Sequence, residues 1–449
     1  MTKEDMVLIL GEVVVDFTLP KRGEDGKLRL GGIVHAARGL WAAEQEYSVA
    51  AFCPQYLLEE AKRYLTEHGC KEFIWLGNII GAPNVIVIGD QKEVSHQGYE
   101  DLLRECKQVV LCEPPPKLDS YSKAVIFPGK FDIGALLKRF SSNAKFSFDV
   151  AYDVNDLSVL HPFLGRIQAI ITSTSSPLFN EIAKTSLNEL LDEVRALSPE
   201  VFLLKENRGG SRLFDLTGDN IEEIPAVLGK TVNSVGVGDV YSAVMVSMSK
   251  NGWIEAAWRG AQAATVYSQT TYPDDMKRDL LRNFNLSIDE LRGLGGTVLP
   301  WPDRQQFSIY LAGPDFSYIE KRELDQAVDS LRYHNFKVRR PILENGELER
   351  PTSKFDLFSA YDKDYQLLKE CDAVFAIPLG RDPGTLVEVG MAIALNKPVI
   401  TFDPRNENNN TMIVAGSHVY STCLDECLNG TFNVLAKLRT ASTWKKPFS

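Results

Sequence analysis

The sequence is poor in cysteine, in basic charge and in long hydrophobic runs, and each shortage excludes a class of protein. Its seven cysteines form no CxxC pair and have no histidine at zinc spacing, so we expect buried thiols in a reducing cytoplasm rather than a metal site. No apolar run reaches the roughly 18 residues that span a bilayer, which excludes a membrane span. The first five residues are acidic where a secretory signal is basic, so we predict a cytoplasmic protein.

Basic residues are outnumbered: 49 lysines and arginines face 60 acidic residues, a net charge of −11. Such a chain repels a polyphosphate backbone, so we expect no nucleic-acid partner. The six histidines are scattered without an i, i+4 pair, and we expect them to pack or to lie on the surface. With 449 residues, of which 44% are hydrophobic and 24% charged, the chain has the composition of a folded protein of two or three domains.

Short β-branched runs alternate with amphipathic segments along the whole chain. This alternation predicts βα units with largely parallel sheets, and therefore an α/β protein. The clearest strand candidates are residues 6–10, 84–88, 124–127, 167–172, 201–204, 308–311, 373–377 and 398–402.

A stretch over residues 291–303 is dense in glycine and proline and shows neither helical nor strand period. It predicts a linker, which we place over 286–305. The linker divides the chain into a first domain, 1–285, and a second domain, 306–440, which is followed by a tail over 441–449.

The second domain places reactive side chains where α/β proteins bind ligands. An apolar strand that ends in a Gly-Pro turn puts Tyr310 and Asp315 at the carboxyl edge of the predicted sheet. The next buried strand is followed by a loop with Asp382 and by a helix with Glu388 in its second turn, while Asp364 precedes that strand. Any one of these acids alone would be interpreted as a surface residue or an N-cap, but together they predict an acidic cluster.

Five motifs of this domain occur in the order and at the spacings of a known family. They are IYLAGP at 309–314, Asp364 followed by YQLLKECDAVFAIP, DPGTLVEVG at 382–390, ALNKPVI at 394–400 and NTMI at 410–413. Over about residues 306–440 the sequence resembles the nucleoside 2-deoxyribosyltransferases. The resemblance implies a Rossmann-like (flavodoxin-like) parallel sheet and an enzyme of the pentosyltransferase class.

The resemblance also implies roles for individual residues. Glu388 aligns with the nucleophile that attacks the anomeric carbon and forms a glycosyl-enzyme ester, as in retaining glycosidases. Asp364 and Asp382 align with acids that contact and protonate the departing base, and Tyr310 with the residue that orients the nucleophile. Further positions would contact substrate, the last two from a neighbouring subunit, so that a homo-oligomer is implied: Gly313, Asp315, Gly384, Asn410 and Met412.

The implied substrates are 2′-deoxynucleosides and free nucleobases, and this transfer needs no cofactor. A related branch hydrolyses nucleoside 5′-monophosphates and has serines where Asp382 and Asn410 stand here. Because a carboxylate would repel the 5′-phosphate, we expect an uncharged nucleoside. Transfer and hydrolysis both stay open, since they differ in whether water is excluded while the ester waits for an acceptor. A hydrolase of nucleotides or of NAD is the alternative.

In the first domain, a glycine-rich turn ending in Asp239 precedes an apolar helix over 240–250. Glycines before a helix N-terminus expose N–H groups that can hold an anion, and an aspartate in the first turn could accept a proton from a substrate hydroxyl. Alone this motif is weak, because it more often marks a turn and an N-cap.

Other segments give this motif a context: GEVVVD at 11–16, FDV at 148–150 and KENRGGSRLF at 205–214. Residues 6–285 resemble the ribokinase-like (PfkB) sugar and nucleoside kinases, which implies a three-layer α/β/α fold. Asp239 would be the general base, residues 205–210 would flank ATP, and Mg²⁺ would neutralise the phosphates. The implied anion hole is Gly236, Val237 and Gly238, and the implied sugar contacts are Asp16, Gly31 and Gly32.

The sequence departs from that family at three places. Ala36 stands where an asparagine is usual, Asn233 where an acid usually opens the glycine motif, and 173–181 lacks the NxxE pattern that helps to organise Mg²⁺. Two hypotheses follow for the first domain. It phosphorylates a sugar or nucleoside, or it is an inactive module that binds such a ligand; consumption of ATP separates them.

Overall fold

The computed structural model describes residues 6–20, 25–183, 186–348 and 352–441. The chain divides into two compact units. The first comprises Met1–Lys92, Gln97–Val227 and Thr231–Gly296, and the second comprises Glu93–His96, Leu228–Lys230 and Thr297–Ser449. Both are built of helices and sheets, and the sheet of the second unit is parallel throughout, so the predicted α/β class is confirmed. Of the predicted tail, 441–449, all but residue 441 lies outside the described residues.

The described part of the first unit forms a 13-stranded sheet. Its main path runs in the order β13-β12-β11-β10-β9-β8-β1-β3-β4-β7, while β2 and β5 pair with β1, and β6 with β5. The strands are β1 Val7–Thr18, β2 Lys27–Gly32, β3 Tyr47–Phe52, β4 Phe73–Ile80, β5 Val85–Ile88, β6 Glu100–Asp101, β7 Gln108–Leu111, β8 Lys123–Ile126, β9 Lys145–Asp149, β10 Ile167–Ser173, β11 Val201–Lys205, β12 Ser211–Asp215 and β13 Asn220–Ile224.

The helices of this unit pack on the sheet through small and β-branched side chains. α1, α5, α6 and α7 share one buried cluster with β1, β3 and β11. The helices are α1 Ile33–Ala42, α2 Leu58–Glu67, α3 Ile133–Leu137, α4 Leu187–Ala196, α5 Val237–Met248, α6 Trp253–Gln269, α7 Pro273–Phe284 and α8 Ile288–Leu294.

Strand β1 is longer than predicted, because it continues through Gly11 and Glu12 to Thr18. Its first half pairs in parallel with β3 and β8, and its second half pairs with β2 and β5. Gly11 lies where a Cβ atom would come within 2.6 Å of Ile33 Cγ2, so this glycine serves close packing and does not end the strand.

The second unit contains a five-stranded parallel sheet in the order β15-β14-β16-β17-β18. Its strands are β14 Ser308–Ala312, β15 Lys337–Arg339, β16 Ala373–Ala376, β17 Val399–Phe402 and β18 Val419–Ser421. Its helices are α9 Trp301–Arg304, α10 Arg322–Tyr333, α11 Pro341–Asn345, α12 Lys354–Glu370, α13 Pro383–Ala394, α14 Thr411–Gly416 and α15 Leu424–Thr440.

The two faces of this small sheet carry different helices. Ile309 and Leu311 of β14 face a cluster with α10 and α15, whereas Tyr310 and Ala312 face a cluster with α12 and α13. This alternation follows from the two-residue period of a strand. Tyr310 therefore lies on the same face of the sheet as the helices that carry Asp364 and Glu388.

The expectation that residues 286–305 lack secondary structure is wrong. Helix α8 lies in this stretch and begins with a capping box, in which Ser287 and Glu290 bond each other's backbone N–H groups. Arg292 donates to Glu222 of β13, and Leu291 is buried in the core of the first unit. The glycines that follow obscured this helix in the sequence, because α8 is only seven residues long.

Two further expectations concern thiols and membranes. Cys53, Cys70, Cys371 and Cys427 are buried as expected, but Cys106 is exposed because it ends a short turn of helix over 104–106. Within the described ranges, no helix combines the length and the apolar character needed to cross a membrane.

Candidate functional site

The centre of the second unit's site is a hydrogen bond between β14 and α13. The hydroxyl of Tyr310 donates to Glu388 Oε1 at 2.5 Å, across 78 residues of sequence. Tyr310 is fully buried in the middle of the sheet, paired in register with Val374 and Arg339. The hydrogen bond from this buried strand residue thus fixes the orientation of the Glu388 carboxyl group.

Burial and neighbouring acids favour the protonated form of Glu388. Burial is the largest cause, and together with the charges of Asp364 and Asp382 it raises the pKa of Glu388 to about 8 against the opposing hydrogen bond from Tyr310. Burial, followed by Glu388 and Asp364, raises the pKa of the Tyr310 hydroxyl, so it stays a donor. A carboxyl group with such a perturbed pKa at the edge of a sheet is typical of a catalytic site.

Asp364 belongs to the third turn of α12 and is half-buried beside this pair. Asn345 Nδ2 donates to its Oδ1 at 2.7 Å. Burial raises the pKa of Asp364, and the bond from Asn345 opposes that rise. The structure therefore brings together Tyr310, Asp364 and Glu388, which the sequence predicted as site residues.

Asp382 acts as the N-cap of α13. Its Oδ2 accepts from both the backbone N–H and the hydroxyl of Thr385, each at 2.7 Å. Its other oxygen makes no hydrogen bond within the described part of the chain, and its charge contributes to the raised pKa of Glu388. Asp382 thus has the capping position that a purely structural interpretation assigns to it, and it lies close enough to influence the pKa of Glu388.

Of three other predicted substrate contacts, Asp315 and Gly313 serve contacts within the unit, whereas Gly384 is exposed. Asp315 is buried and holds Arg340 and Lys321. A Cβ atom on Gly313 would lie 2.8 Å from Leu324 Cδ1 of α10. A larger residue at position 313 would therefore clash with this helix. Gly384 is exposed in the first turn of α13.

Asn410 and Met412 lie on the outside of the second unit. Asn410 is the N-cap of α14 and accepts from the Met412 backbone N–H at 2.9 Å. Met412 is 75% exposed. The structure does not bring these two residues to Glu388 by any contact within the described chain.

In the first unit, the glycine-rich turn lies at the start of α5, with Gly236 in the left-handed region at φ 82°. Side chains of the unit itself cover its glycines. A Cβ atom on Gly236 would lie 2.2 Å from His35 Cγ, and one on Gly238 would lie 3.0 Å from Lys205 Nζ. Val237, between them, is packed against the core. These glycines are therefore needed for internal packing.

The predicted sugar contacts show the same pattern. The carboxylate of Asp16 lies over Gly31, where a Cβ atom would come within 2.1 Å of its Oδ1. Gly32 has φ 61° and precedes α1. Asp16 Oδ2 accepts from His35 Nε2 at 2.8 Å and from Arg29 Nε at 3.3 Å, and Arg29 is its register partner in β2.

His35 connects Asp16 to the buried residue Tyr267, a role that the sequence did not reveal. Burial lowers the pKa of His35, so the imidazole is neutral. With Nε2–H donating to Asp16, Nδ1 accepts from the Tyr267 hydroxyl at 2.6 Å, and Arg38 donates to the same hydroxyl at 3.2 Å. Burial opposes ionisation of Asp16, but His35 and Arg29 outweigh it and lower its pKa.

Asp239 lies in the first turn of α5, close to a buried ion pair. Lys205 Nζ donates to Asp149 Oδ2 at 2.7 Å and contacts Ser242 Oγ and the Gly238 carbonyl at 3.2 and 3.3 Å. Burial raises the pKa of Asp239 to about 8, with further contributions from Asp149 and Asp16 against Lys205. A carboxyl group whose pKa lies near the working pH can both accept and donate a proton.

Asp149 and Asp239 are the carboxylates near the glycine-rich turn that could face Mg²⁺. The described residues contain no group of three or more His, Cys, Asp or Glu side chains placed to hold a metal ion. Asp149, the carboxylate nearest the turn by its contacts, is neutralised by Lys205 rather than left for a cation.

Sequence reasoning missed His35 and Asn345 and saw Lys205 only as the start of a nucleotide-flanking segment. Their partners are 232, 19 and 56 residues away in the chain, so only the fold brings them together. A histidine three residues after the double glycine was the one available signal, and an isolated histidine usually packs.

Comparison with known proteins bears on each unit separately. Residues 309–426 match the family model described as nucleoside 2-deoxyribosyltransferase, so the predicted resemblance of this region is confirmed. The match covers the segment from Ile309 to Glu426 and therefore includes Tyr310, Asp364, Asp382 and Glu388. A search of curated proteins found no match.

Solved structures that resemble this chain are ribokinases and related kinases. Giardia lamblia ribokinase is 14% identical, with 62% of this chain and 99% of that chain covered at a TM-score of 0.46. Methanocaldococcus jannaschii nucleoside kinase is 15% identical, with 63% and 100% covered at 0.44. Burkholderia thailandensis nucleoside kinase, solved with inosine, is 13% identical, with 62% and 97% covered at 0.45.

Proposed function

We propose that the second unit cleaves the N-glycosidic bond of 2′-deoxynucleosides and transfers the deoxyribosyl group to another base through an ester on Glu388. One observation carries this proposal: the Tyr310 hydroxyl holds Glu388 at the carboxyl edge of the sheet, inside the segment that matches the deoxyribosyltransferase model. The substrate class comes from that match. The resemblance of the sequence suggests Glu388 as the nucleophile, and its hydrogen bond from Tyr310 supports this assignment.

The reaction requires the ionised form of Glu388, which is the minor fraction at pH 7 and grows as the pH rises toward the pKa of about 8. One carboxylate oxygen attacks C1′ of the sugar, the C1′–N bond breaks, and its electron pair leaves with the base. Asp364 gives its proton to the departing base, which therefore leaves neutral. An acceptor base then attacks C1′ from the face that the first base left, the Asp364 carboxylate takes the proton from the attacking nitrogen, and the bond to Glu388 breaks to release its carboxylate. Two displacements at C1′ retain the configuration of the sugar.

Asp382 favours an uncharged substrate. Its Oδ2 is used in capping α13, and its charge reaches Glu388 strongly enough to raise the pKa of that residue. A 5′-phosphate near the same helix start would meet this negative charge, so we propose nucleosides rather than nucleotides as substrates. Hydrolysis to free deoxyribose is the alternative outcome of the same ester.

We also propose that the second unit acts as a homo-oligomer. Helix α12 has 17 residues, of which only Leu367 and Leu368 are buried. In its first two turns, the side chains of Phe355 and Phe358 are 81% and 65% exposed. Neighbouring exposed aromatic side chains form an apolar patch, and such patches often mark protein–protein interfaces. Asn410 and the exposed Met412 have no contact with the site in their own chain, as expected of residues that complete the site of a neighbouring copy.

For the first unit we propose binding of a sugar or nucleoside without phosphoryl transfer. Asp16 is held by His35 and Arg29, and Lys205 is held by Asp149, so the charged groups of the site are already engaged. Kinase activity with ATP and Mg²⁺ is the alternative, and release of ADP would establish it.

The experiment incubates the full chain with 2′-deoxyinosine and free adenine, with and without Mg-ATP, and follows every base, nucleoside and ADP by chromatography. We expect 2′-deoxyadenosine to form. Free hypoxanthine without exchange would replace transfer by hydrolysis, and faster cleavage of 2′-deoxyinosine 5′-monophosphate would contradict the preference for an uncharged nucleoside.

Glu388→Ala is the matched variant for this experiment. It should abolish glycosidic cleavage and leave ligand binding by the first unit unchanged. A folded Glu388→Ala protein that still exchanges bases at the wild-type rate would refute the role of Glu388 as nucleophile. Formation of ADP that depends on an added sugar or nucleoside would refute the binding-module proposal.

A further inference from the structure

We propose that Asn345 is a positioning residue for leaving-group protonation, because its side-chain amide fixes which oxygen of Asp364 carries the proton given to the departing base. This inference rests on the glycosyl transfer proposed above. It assigns a role to a residue that lies outside the motifs recognised in the sequence.

The geometry of one hydrogen bond carries the inference. Asn345 Nδ2 donates to Asp364 Oδ1 at 2.7 Å. An oxygen that accepts such a bond is the less favourable place for the proton of a carboxylic acid, because its lone pair is already engaged. The proton therefore resides on Oδ2, which makes no hydrogen bond within the described part of the chain. This oxygen is left for the base.

The position of Asn345 is fixed by the strand next to Tyr310. Arg339 of β15 is the register partner of Tyr310, and its guanidinium donates to the Glu344 carboxylate at 2.6–2.9 Å. Asn345 follows directly and ends α11, which Gly346 closes at φ 89°. The frame that holds Glu388 through Tyr310 thus also holds Asp364 through Asn345.

A second tether ties the same segment to the loop after β14. Arg340 donates through Nε and Nη2 to the two carboxylate oxygens of Asp315, each at 2.7 Å. The backbone N–H of Ser317 donates to Glu347 at 3.2 Å. A short helix held at both ends is a rigid support, so the Asn345 amide has little freedom to follow a rotating carboxyl group.

Removing the amide should free the Asp364 carboxyl group to rotate. The pKa of Asp364 would then rise further, because burial raises it, the opposing hydrogen bond from Asn345 is lost, and only the charge of Lys363 still lowers it. The carboxyl group would lose the contact that sets its direction. Because positioned general acids contribute on the order of 10²–10⁴ in rate, we expect at least a tenfold loss for a base that must be protonated.

The test compares two substrates that differ in their need for a proton. 2′-Deoxyguanosine requires protonation of the departing base, whereas 7-methyl-2′-deoxyguanosine already carries the positive charge and leaves as a neutral base. For the full-length Asn345→Leu variant, we expect kcat to fall at least about tenfold for the first substrate and less than about threefold for the second. Asn345→Ala gives an independent measurement of the same ratio.

Control variants separate positioning from general damage. Glu388→Gln should slow both substrates, and Asp364→Asn should reproduce the selective loss of Asn345→Leu. Asn429→Leu removes an amide that donates to the Gly229 carbonyl from α15, on the other face of the sheet, and should leave the ratio of the two rates unchanged.

Equal losses on both substrates in Asn345→Leu and Asn345→Ala, or no loss on either, would overturn the positioning role while leaving the glycosyl transfer intact. A wild-type protein that cleaves neither substrate would instead overturn the proposed function, and this inference with it.

Discussion

Replacing Glu388 by glutamine should stabilise the protein, and the gain should grow with pH. The pKa of Glu388 is about 8 in the folded protein, against an ordinary value of 4.5. A carboxyl group whose pKa is raised by folding favours the folded state only while it is protonated, so its contribution is full below pH 4.5 and is lost as pH rises toward 8. The neutral amide of Glu388→Gln escapes this loss and can still accept from Tyr310.

The magnitude follows from the two pKa values. At about 1.4 kcal/mol per pH step, the variant should gain nothing at pH 4, about 3 kcal/mol at pH 7 and at most about 5 kcal/mol above pH 8. For a unit of this size, 3 kcal/mol corresponds to a rise of roughly 6–12 °C in the midpoint of its thermal transition.

Differential scanning calorimetry of the full chain at pH 4, 6, 7 and 8 measures this difference. Glu344→Gln is a control of opposite sign, because the hydrogen bonds from Arg339 lower the pKa of Glu344 and its replacement should destabilise the same unit more as pH rises. A gain for Glu388→Gln that is the same at every pH, or a loss at pH 7, would refute the reasoning.

Three further predictions test other contacts. Tyr310→Phe removes the donor that opposes the rise of the Glu388 pKa, so the pH of half-maximal activity should move upward; an unchanged midpoint would contradict this. Asp239→Asn should raise the midpoint of thermal unfolding at pH 7 but not at pH 4, because burial raises the pKa of Asp239 to about 8; equal shifts at both pH values would count against it. Phe358→Asp should reduce the assembly size in analytical ultracentrifugation, and an unchanged size would exclude α12 from the interface.

The centre of the candidate site could be predicted because its residues lie in short motifs. The Gly-Pro turn after β14 located Tyr310, and the strand-loop-helix pattern before α13 located Glu388 and Asp382. These assignments depend on local patterning and on the rule that ligands bind at the carboxyl ends of parallel strands. They need no knowledge of long-range packing.

Other parts of the structure depend on contacts that the sequence does not display. His35 binds Tyr267 of α6, and Asn345 binds Asp364 of α12, through the arrangement of helices around each sheet. The glycines at 236 and 238 fitted an anion hole in the sequence, yet in the structure the same absence of a Cβ atom accommodates His35 and Lys205. A glycine in a sequence indicates that a Cβ atom would not fit at that position, but it does not indicate whether a ligand or another side chain occupies the space.

The second unit is discontinuous in the chain. Besides Thr297–Ser449 it includes Glu93–His96 and Leu228–Lys230. Val94 is buried in its core, and Tyr333 donates to Glu93 at 3.0 Å. A single cut in the gene before Thr297 would therefore yield a fragment without two of its own pieces, and that fragment should be less stable than the same unit in the whole protein. A fragment that is meant to contain the whole second unit therefore has to include Glu93–His96 and Leu228–Lys230. Circular permutation, or addition of these segments as peptides, would achieve this.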